Sequence, residues 1–154
     1  MAILEQEIIE FLLTAKKHTY ATENRPVQPS SRLGSKDLAF AQGDFKYWDS
    51  YIGNSGFSGT EVVWYQDVPV WSMNYLGRML TGTYGGEIRT FLMEALALVD
   101  GATPYRGPAI YQNGNFIYKN SVIGGFGWFS GKEEIFYENT PIYELVYHGG
   151  TVKK

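Results

Sequence analysis

The sequence contains no cysteine. Disulfides, thiolate metal sites and a cysteine nucleophile are therefore excluded. It has only two histidines, His18 and His148, which are not spaced to share a metal, so no zinc site and no other metal centre is expected. No Gly-x-Ser-x-Gly elbow is present, which removes the usual signature of Ser-His-Asp hydrolysis. Gly124-Gly125-Phe126-Gly127 lacks the Lys-Ser/Thr of a phosphate loop and opens a strand, so it reads as a bulge or turn. No cofactor is expected.

Charge of one sign is also missing. Thirteen basic and 16 acidic residues give a formal charge of −3, too small for a nucleic-acid footprint or a polybasic membrane signal. No apolar run approaches the roughly 18 residues of a membrane span. The start, Met1 to Glu7, is acidic where a secretory signal needs a basic segment. The expectation is a cytoplasmic protein that binds neither membrane nor nucleic acid directly. At 154 residues the chain has the size of one domain.

Aromatics and glycine are abundant: 12 Tyr, 9 Phe, 4 Trp and 18 Gly. Aromatic and β-branched residues separated by glycine-rich turns predict antiparallel sheet. Residues 3–17 read as a helix, with Leu4, Ile8, Phe11, Leu12 and Ala15 on one face. A polar loop over 22–36 precedes strands at 37–41, 45–52, 61–66 and 68–76. A second helix is predicted over 87–99, with Ile88, Phe91, Leu92, Ala95 and Leu98 in phase. Strands follow at 109–112, 115–123, 127–129, 133–138 and 141–148, with Asn113-Gly114 as the strongest hairpin signal.

The two stretches resemble each other. Residues 57–77 laid over 129–149 give eight identities in 21 pairs, including Glu61/Glu133, Pro69/Pro141 and Tyr75/Tyr147. Residues 43–53 over 114–124 give six in 11, including Tyr47/Tyr118. Unrelated segments match at about one position in fifteen. The sequence therefore reads as an internal duplication of an α-β-β-β-β unit, with one copy over about 3–78 and the other over about 86–150. The predicted class is α+β: about eight mostly antiparallel strands, with two helices over one face and a pseudo-twofold axis. The sheets join as one eight-stranded sheet or as a barrel-like pair.

Strand alternation places Phe45, Tyr47, Asp49 and Tyr51 on one face, and Pro69, Trp71, Met73 and Tyr75 on one face of a later strand. These bulky faces read either as core or as an aromatic-lined pocket. Positions where the copies disagree, such as Asn74 against Val146, mark drift or a single asymmetric site. Glu61 and Glu133 are equivalent and read as exposed strand starts or as a carboxylate pair. Arg106, in Tyr105-Arg106-Gly107-Pro108, can grip a carboxylate or phosphate bidentately, or pin its loop.

The series Gly34-Ser35-x-Asp37-Leu38, Tyr47-x-Asp49-Ser50-Tyr51-x-Gly53, Trp71-x-Met73-Asn74-Tyr75-x-Gly77-Arg78, Pro104 to Pro108, Glu134-Ile135-x-Tyr137 and Tyr147-His148-Gly149-Gly150 resembles a bacterial family, domain of unknown function 5680, from about Phe11 to Gly150. That family has no assigned activity. Its domain occurs alone or behind a repressor-type helix-turn-helix, which implies a bacterial cytosolic domain with a sensor role when fused to a DNA reader.

The leading expectation is a non-enzymatic, sensor-like domain that binds a small molecule through Asp49, Trp64, Trp71, Asn74, Tyr75, Arg106, Tyr118 and Glu133. The aromatics would stack on the ligand and the polar groups would orient it. The alternatives are an acid/base hydrolase or isomerase using Glu61, Glu133 or Asp49, and a homodimeric interaction module.

Overall fold

The structure, a computed structural model, describes residues 3–19 and 27–154. Helix α1 (Glu5–His18) opens where the Glu7 carboxylate accepts the backbone N–H of Leu4 at 2.9 Å, satisfying one of the unpaired amides of the first turn. It carries Lys16, Lys17 and His18 in its last turn, where the helix dipole favours cations. Strands β1 (Val27–Gln28), β2 (Lys36–Gln42), β3 (Phe45–Gly53), β4 (Gly56–Tyr65) and β5 (Val68–Met79) follow. Then come α2 (Gly86–Leu96) and strands β6 (Ile110–Asn113), β7 (Phe116–Gly125), β8 (Trp128–Tyr137) and β9 (Thr140–Thr151).

All nine strands form one open antiparallel sheet in the order β1-β2-β3-β4-β5-β9-β8-β7-β6. The fold is α+β. The barrel-like alternative is not what the chain builds, and the strand total is nine because Val27–Gln28 pairs with β2 inside the predicted polar loop. The rest of that loop's start, residues 22–26, lies outside the described residues.

Two predicted breaks are absent. The sequence reading ends one strand at Phe129 and starts another at Glu133, but β8 runs unbroken through Gly131. Likewise β4 begins at Gly56 and passes through Gly59 rather than starting at Glu61. Each glycine is there for space rather than for a turn. A Cβ on Gly131 would lie 2.2 Å from the ring of Tyr147, and one on Gly59 would lie 2.3 Å from that of Tyr75. Each tyrosine is the direct cross-strand partner of its glycine and lies flat over it.

The two-residue turns Gln66-Asp67 and Glu138-Asn139 hold all four residues at positive φ, between 46° and 68°, as a type I′ hairpin requires. Their hairpins carry register shifts at Val63/Trp64 and Ile135/Phe136. The seam between β5 and β9 pairs Tyr75 with Tyr147, Trp71 with Thr151 and Met79 with Tyr143.

Both helices pack on one face of the sheet and share a single core. Phe11 of α1 stacks on Phe45 at 4.8 Å, and Phe91 of α2 stacks on Phe116 at 5.2 Å. Leu12, Ala15, Val63, Trp71, Met73, Ala95, Ile135 and Leu145 are fully buried between helices and sheet. Each large apolar side chain removed from water in this way contributes about 1.5–3 kcal/mol. Among the described residues, the opposite face has no helix. Leu76, Val146, Ile123 and Trp128 are exposed there, beside Asn74 and His148.

Gly131→Ala should force the Tyr147 ring off the sheet. The expected cost is about 1–3 kcal/mol, typical of overpacking, seen as a lower urea midpoint with an unchanged denaturant slope. A midpoint equal to that of the unchanged protein would contradict the packing described.

Candidate functional site

The covered face of the sheet places charged groups where a core would normally be apolar. Glu61 on β4 and Glu133 on β8 are both completely buried. A carboxylate there is tolerated only if cations and hydrogen bonds answer it. Each is answered differently.

Glu133 receives both arms of the Arg106 guanidinium, Nε at 2.9 Å and Nη2 at 2.8 Å. The hydroxyls of Tyr118 and Tyr143 donate to its two oxygens at 2.5 and 2.8 Å. Glu61 receives Lys16 Nζ of α1 at 3.1 Å and the Tyr47 hydroxyl at 2.5 Å. Burial, followed by the nearby carboxylate charge, raises Tyr118 and Tyr143 well above the ordinary phenol range, so both stay protonated and act as donors. Burial lowers the pKa of Lys16, and the Glu61 charge beside it opposes that shift. Among the described residues, Glu61 Oε2 and Trp71 Nε1 make no hydrogen bond.

The loop between α2 and β6 delivers Arg106. Asp100 Oδ1 accepts the amides of Ala102 and Thr103, which turns the chain after the helix. Tyr105 then stacks on Phe129 at 4.0 Å, and its carbonyl accepts Lys16 Nζ at 2.5 Å. The next residue, Gly107, sits on the sheet. Its amide donates to the Tyr118 hydroxyl, and its carbonyl accepts Asn120 Nδ2, both at 3.0 Å. A Cβ on Gly107 would lie 2.8 Å from the Tyr118 ring, so only glycine allows this approach. Asn120 Oδ1 in turn accepts the Tyr147 hydroxyl at 2.7 Å.

Asp49 on β3 accepts the Tyr75 hydroxyl at 2.6 Å, much as Asn120 accepts Tyr147. Asp49 takes part in neither of the two buried ion pairs. It instead lines a cleft of about 350 Å³ between α2 and the sheet, with Tyr75, Arg106, Tyr51, Phe57 and Tyr84. Leu92, Met93 and Leu96 of α2 form its apolar side, and the exposed side chains of Lys36 and Arg89 stand at its mouth. Asp49 is only 3% exposed. Burial, then the charge of Glu61, pushes its carboxyl up to about 7, while the Tyr75 hydrogen bond and the Arg106 and Lys16 charges oppose that shift.

Of the eight residues singled out in the sequence, Asp49, Tyr75 and Arg106 meet at this cleft. Tyr118, Glu133 and Trp71 lie beside it as fully buried core, tied into the network or stacked on Phe126 at 5.4 Å. Trp64 and Asn74 point to the other face, where Asn74 accepts the Thr60 hydroxyl at 2.8 Å. Arg106 grips a carboxylate bidentately, but the carboxylate is Glu133 of the same chain, and the pair pins the loop to the sheet. Glu61 and Glu133 are not exposed strand starts.

Sequence reasoning passed over Lys16, Lys36, Tyr84 and Arg89. Lys16 carried a usable signal: it follows Ala15 on the apolar side of α1 and is wholly buried. Nothing local marks the other three: Lys36 reaches the cleft from the start of β2, Tyr84 from the approach to α2 and Arg89 from α2 itself. Another buried carboxyl, Asp37, lies on the uncovered face. Burial raises its pKa, but hydrogen bonds from Ser31, Ser35, Trp48 and Ser50 outweigh that and hold it well below the usual carboxylate range.

The sequence matches the family described as Domain of unknown function (DUF5680) over residues 49–152, and the chain belongs to that family. No curated protein and no solved structure shows significant similarity to it. Among the described residues, no helix is long and apolar enough to cross a membrane, and no group of three or more His, Cys, Asp or Glu is placed to hold a metal ion.

Two outcomes are expected. Arg106→Met should leave Glu133 buried without its cation and cost about 3–5 kcal/mol in urea denaturation, whereas Tyr143→Phe, which removes one hydrogen bond to Glu133, should cost about 1–2 kcal/mol. For Asp49 the folded carboxyl binds its proton more tightly than the unfolded one. Its stabilising contribution is therefore full below the unfolded pKa of 3.8 and is lost as pH rises through about 7. The stability difference between the unchanged protein and Asp49→Asn should decline over that window and flatten above it. A difference independent of pH would refute the assignment.

Proposed function

We propose that this domain is a small-molecule-binding module of a regulatory, sensor-like kind, and that its ligand enters the cleft over Asp49. One observation carries the reading. Among the described residues Asp49 is a buried carboxyl in no ion pair, and it lines a cleft walled by Tyr51, Phe57, Tyr84 and Leu92, with Arg106 also on the wall and Lys36 and Arg89 at the mouth. Ligand sites are typically concave and apolar, with a few placed polar groups, and at about 350 Å³ this cleft has room for a metabolite-sized molecule.

We further infer that the domain arose by duplication, with β1–β5 and β6–β9 related by a pseudo-twofold axis at the seam. The support lies in matched details. Turns Gln66-Asp67 and Glu138-Asn139, the register shifts and the Gly59–Tyr75 and Gly131–Tyr147 pairs recur at one spacing, and the Tyr47–Glu61 and Tyr118–Glu133 bonds recur with the tyrosine one residue off it. Tyr75, opposite Tyr147, marks the axis. On this view one copy has its polar position closed by Gly107 against Asn120. In the other copy Asp49 borders the cleft, and duplication has left one ligand site rather than two.

The elevated pKa of Asp49 favours a second reading, a general acid or base poised near neutral pH. Asp49 is the carboxyl that would serve, because Glu61 and Glu133 are sealed in the core. A turnover with a carboxylate limb in its pH profile, abolished by Asp49→Asn, would favour that reading over binding alone.

Native mass spectrometry of the freshly purified protein, followed by denaturation, tests the binding reading. A reproducible excess mass that disappears on denaturation is expected. Cutting back two half-buried cleft walls, Tyr51→Ala with Tyr84→Ala, should weaken retention about tenfold or more. A bare mass, together with no thermal shift across a library of small metabolites, would refute the proposal.

A further inference from the structure

Among the described residues, the charge count on the covered face of the sheet does not balance. Its buried carboxyls, Asp49, Glu61 and Glu133, number three, and its buried cations, Lys16 and Arg106, number two. Lys16 pairs with Glu61, and Arg106 pairs with Glu133. One carboxyl is in excess, and it is Asp49, which borders the cleft. An unpaired charge this deep is costly, so the site either takes up a proton or draws a cation from the cleft.

A cation is the group the walls also suit. Tyr51, Phe57 and Tyr84 line the cleft, with the Phe57 and Tyr84 rings 6.2 Å apart. Aromatic faces attract ammonium groups, most strongly where water is excluded. The mouth has the opposite preference. Lys36 and Arg89 are exposed there, and Lys36 already lies 6.0 Å from the Tyr51 ring. Arg106, the other cation on the wall, has its charge answered by Glu133 and so does not repel a cation at Asp49 as a lone guanidinium would.

We propose that the cleft takes a small zwitterion, with its ammonium group on Asp49, an apolar or aromatic body beside Phe57, Tyr84 and Leu92, and an anionic group at the mouth by Lys36 and Arg89. This rests on the reading of the cleft as a ligand site and adds the class of ligand. The asymmetry with Asn120 supports it. Asn120 presents an N–H to a carbonyl of its own chain, Gly107. Asp49, ionised, presents only acceptors, so its partner must be a donor. Among the described residues, the groups facing Asp49 are Tyr75 on β5, Glu61 on β4, Lys16 on α1 and Arg106 on the α2–β6 loop. Lys36, Tyr51, Tyr84 and Arg89 face the same cleft.

The test uses three probes of matched shape: para-(aminomethyl)benzoate, with both charges; benzylamine, with the ammonium only; and benzoate, with the anion only. Binding is followed by NMR shifts of the cleft residues Tyr51 and Tyr84, at probe concentrations up to about 10 mM, enough to detect millimolar affinity. The zwitterion should bind tightest. A cation needs Asp49 ionised, so its affinity should be about tenfold higher at about pH 8 than at about pH 6 and should level off beyond. Asp49→Asn, which keeps an acceptor for Tyr75 as Asn120 does for Tyr147, should abolish that pH dependence and lower affinity about tenfold. Benzoate binding as tightly as the zwitterion, or zwitterion affinity that falls as pH rises, would overturn the ligand class while leaving the cleft as a ligand site. If none of the three probes shifts the cleft residues, both the ligand class and the cleft reading fail. The pH profile of the unchanged protein is decisive even if Asp49→Asn folds poorly.

Discussion

The architecture depends on two carboxylates buried at the centre of a sheet. Glu61 and Glu133 cannot sit in that layer unanswered, and the cations that answer them come from outside it. Lys16 must reach Glu61, which fixes how α1 rotates and how far it extends over β3 and β4. Arg106 must reach Glu133, which fixes the path of the loop after α2. The Tyr105 carbonyl joins the two arrangements by accepting Lys16, so the helix of the first stretch and the loop of the second are tied at one point. Such pairs add little net stability over an apolar core, because desolvation consumes most of the attraction. What they impose is a unique arrangement, since a slipped helix or a displaced loop would strand a charge.

The face beneath the helices is therefore not a simple oily core. Tyrosine hydroxyls of Tyr47, Tyr75, Tyr118, Tyr143 and Tyr147 each end on a carboxyl or amide oxygen. Tyrosine suits this position because its ring contributes apolar area while its hydroxyl satisfies a buried acceptor. The uncovered face solves a similar problem at Asp37 with neutral donors alone. The two solutions differ in consequence. Asp37 is held as a stable anion by serines and a tryptophan, whereas Asp49 is left between protonated and ionised states.

The sheet was largely legible in the sequence. Alternation along residues 45–52 and 71–76 sorts the faces correctly, though the register shift at Val63/Trp64 takes Pro69 off the face expected for it, and the helical spacing of Phe11, Leu12, Phe91 and Leu92 marks the buried stripes. Gly59 and Gly131 misled, because glycine at a break and glycine beneath a tyrosine ring look alike without the partner strand. The site was legible only in part. Asp49, Tyr75 and Arg106 could be picked out because their types and neighbours are unusual. Whether a residue faces a cleft or a packed core depends on what α2 and the Pro104–Gly107 loop cover. That is settled by contacts between residues far apart in sequence, which no local pattern encodes. Asn74 is different, since strand alternation alone puts it on the face opposite Trp71 and Tyr75, and only which face the helices cover needs the structure.

The seam between β5 and β9 has a consequence for the order of assembly. Strand β5 ends at Met79, yet its neighbour on one side runs from Thr140 to Thr151. During synthesis the first five strands emerge with a twelve-residue strand left as an open edge, and it stays open until residues 140–151 are made. Closing it is a long-range event, which slows folding relative to a chain built from local hairpins. In that interval β5 offers its unpaired amides and carbonyls to any strand that arrives first. A second nascent copy carries an equivalent edge of its own, so crowding on one messenger would favour swapped pairing between chains over the correct internal closure.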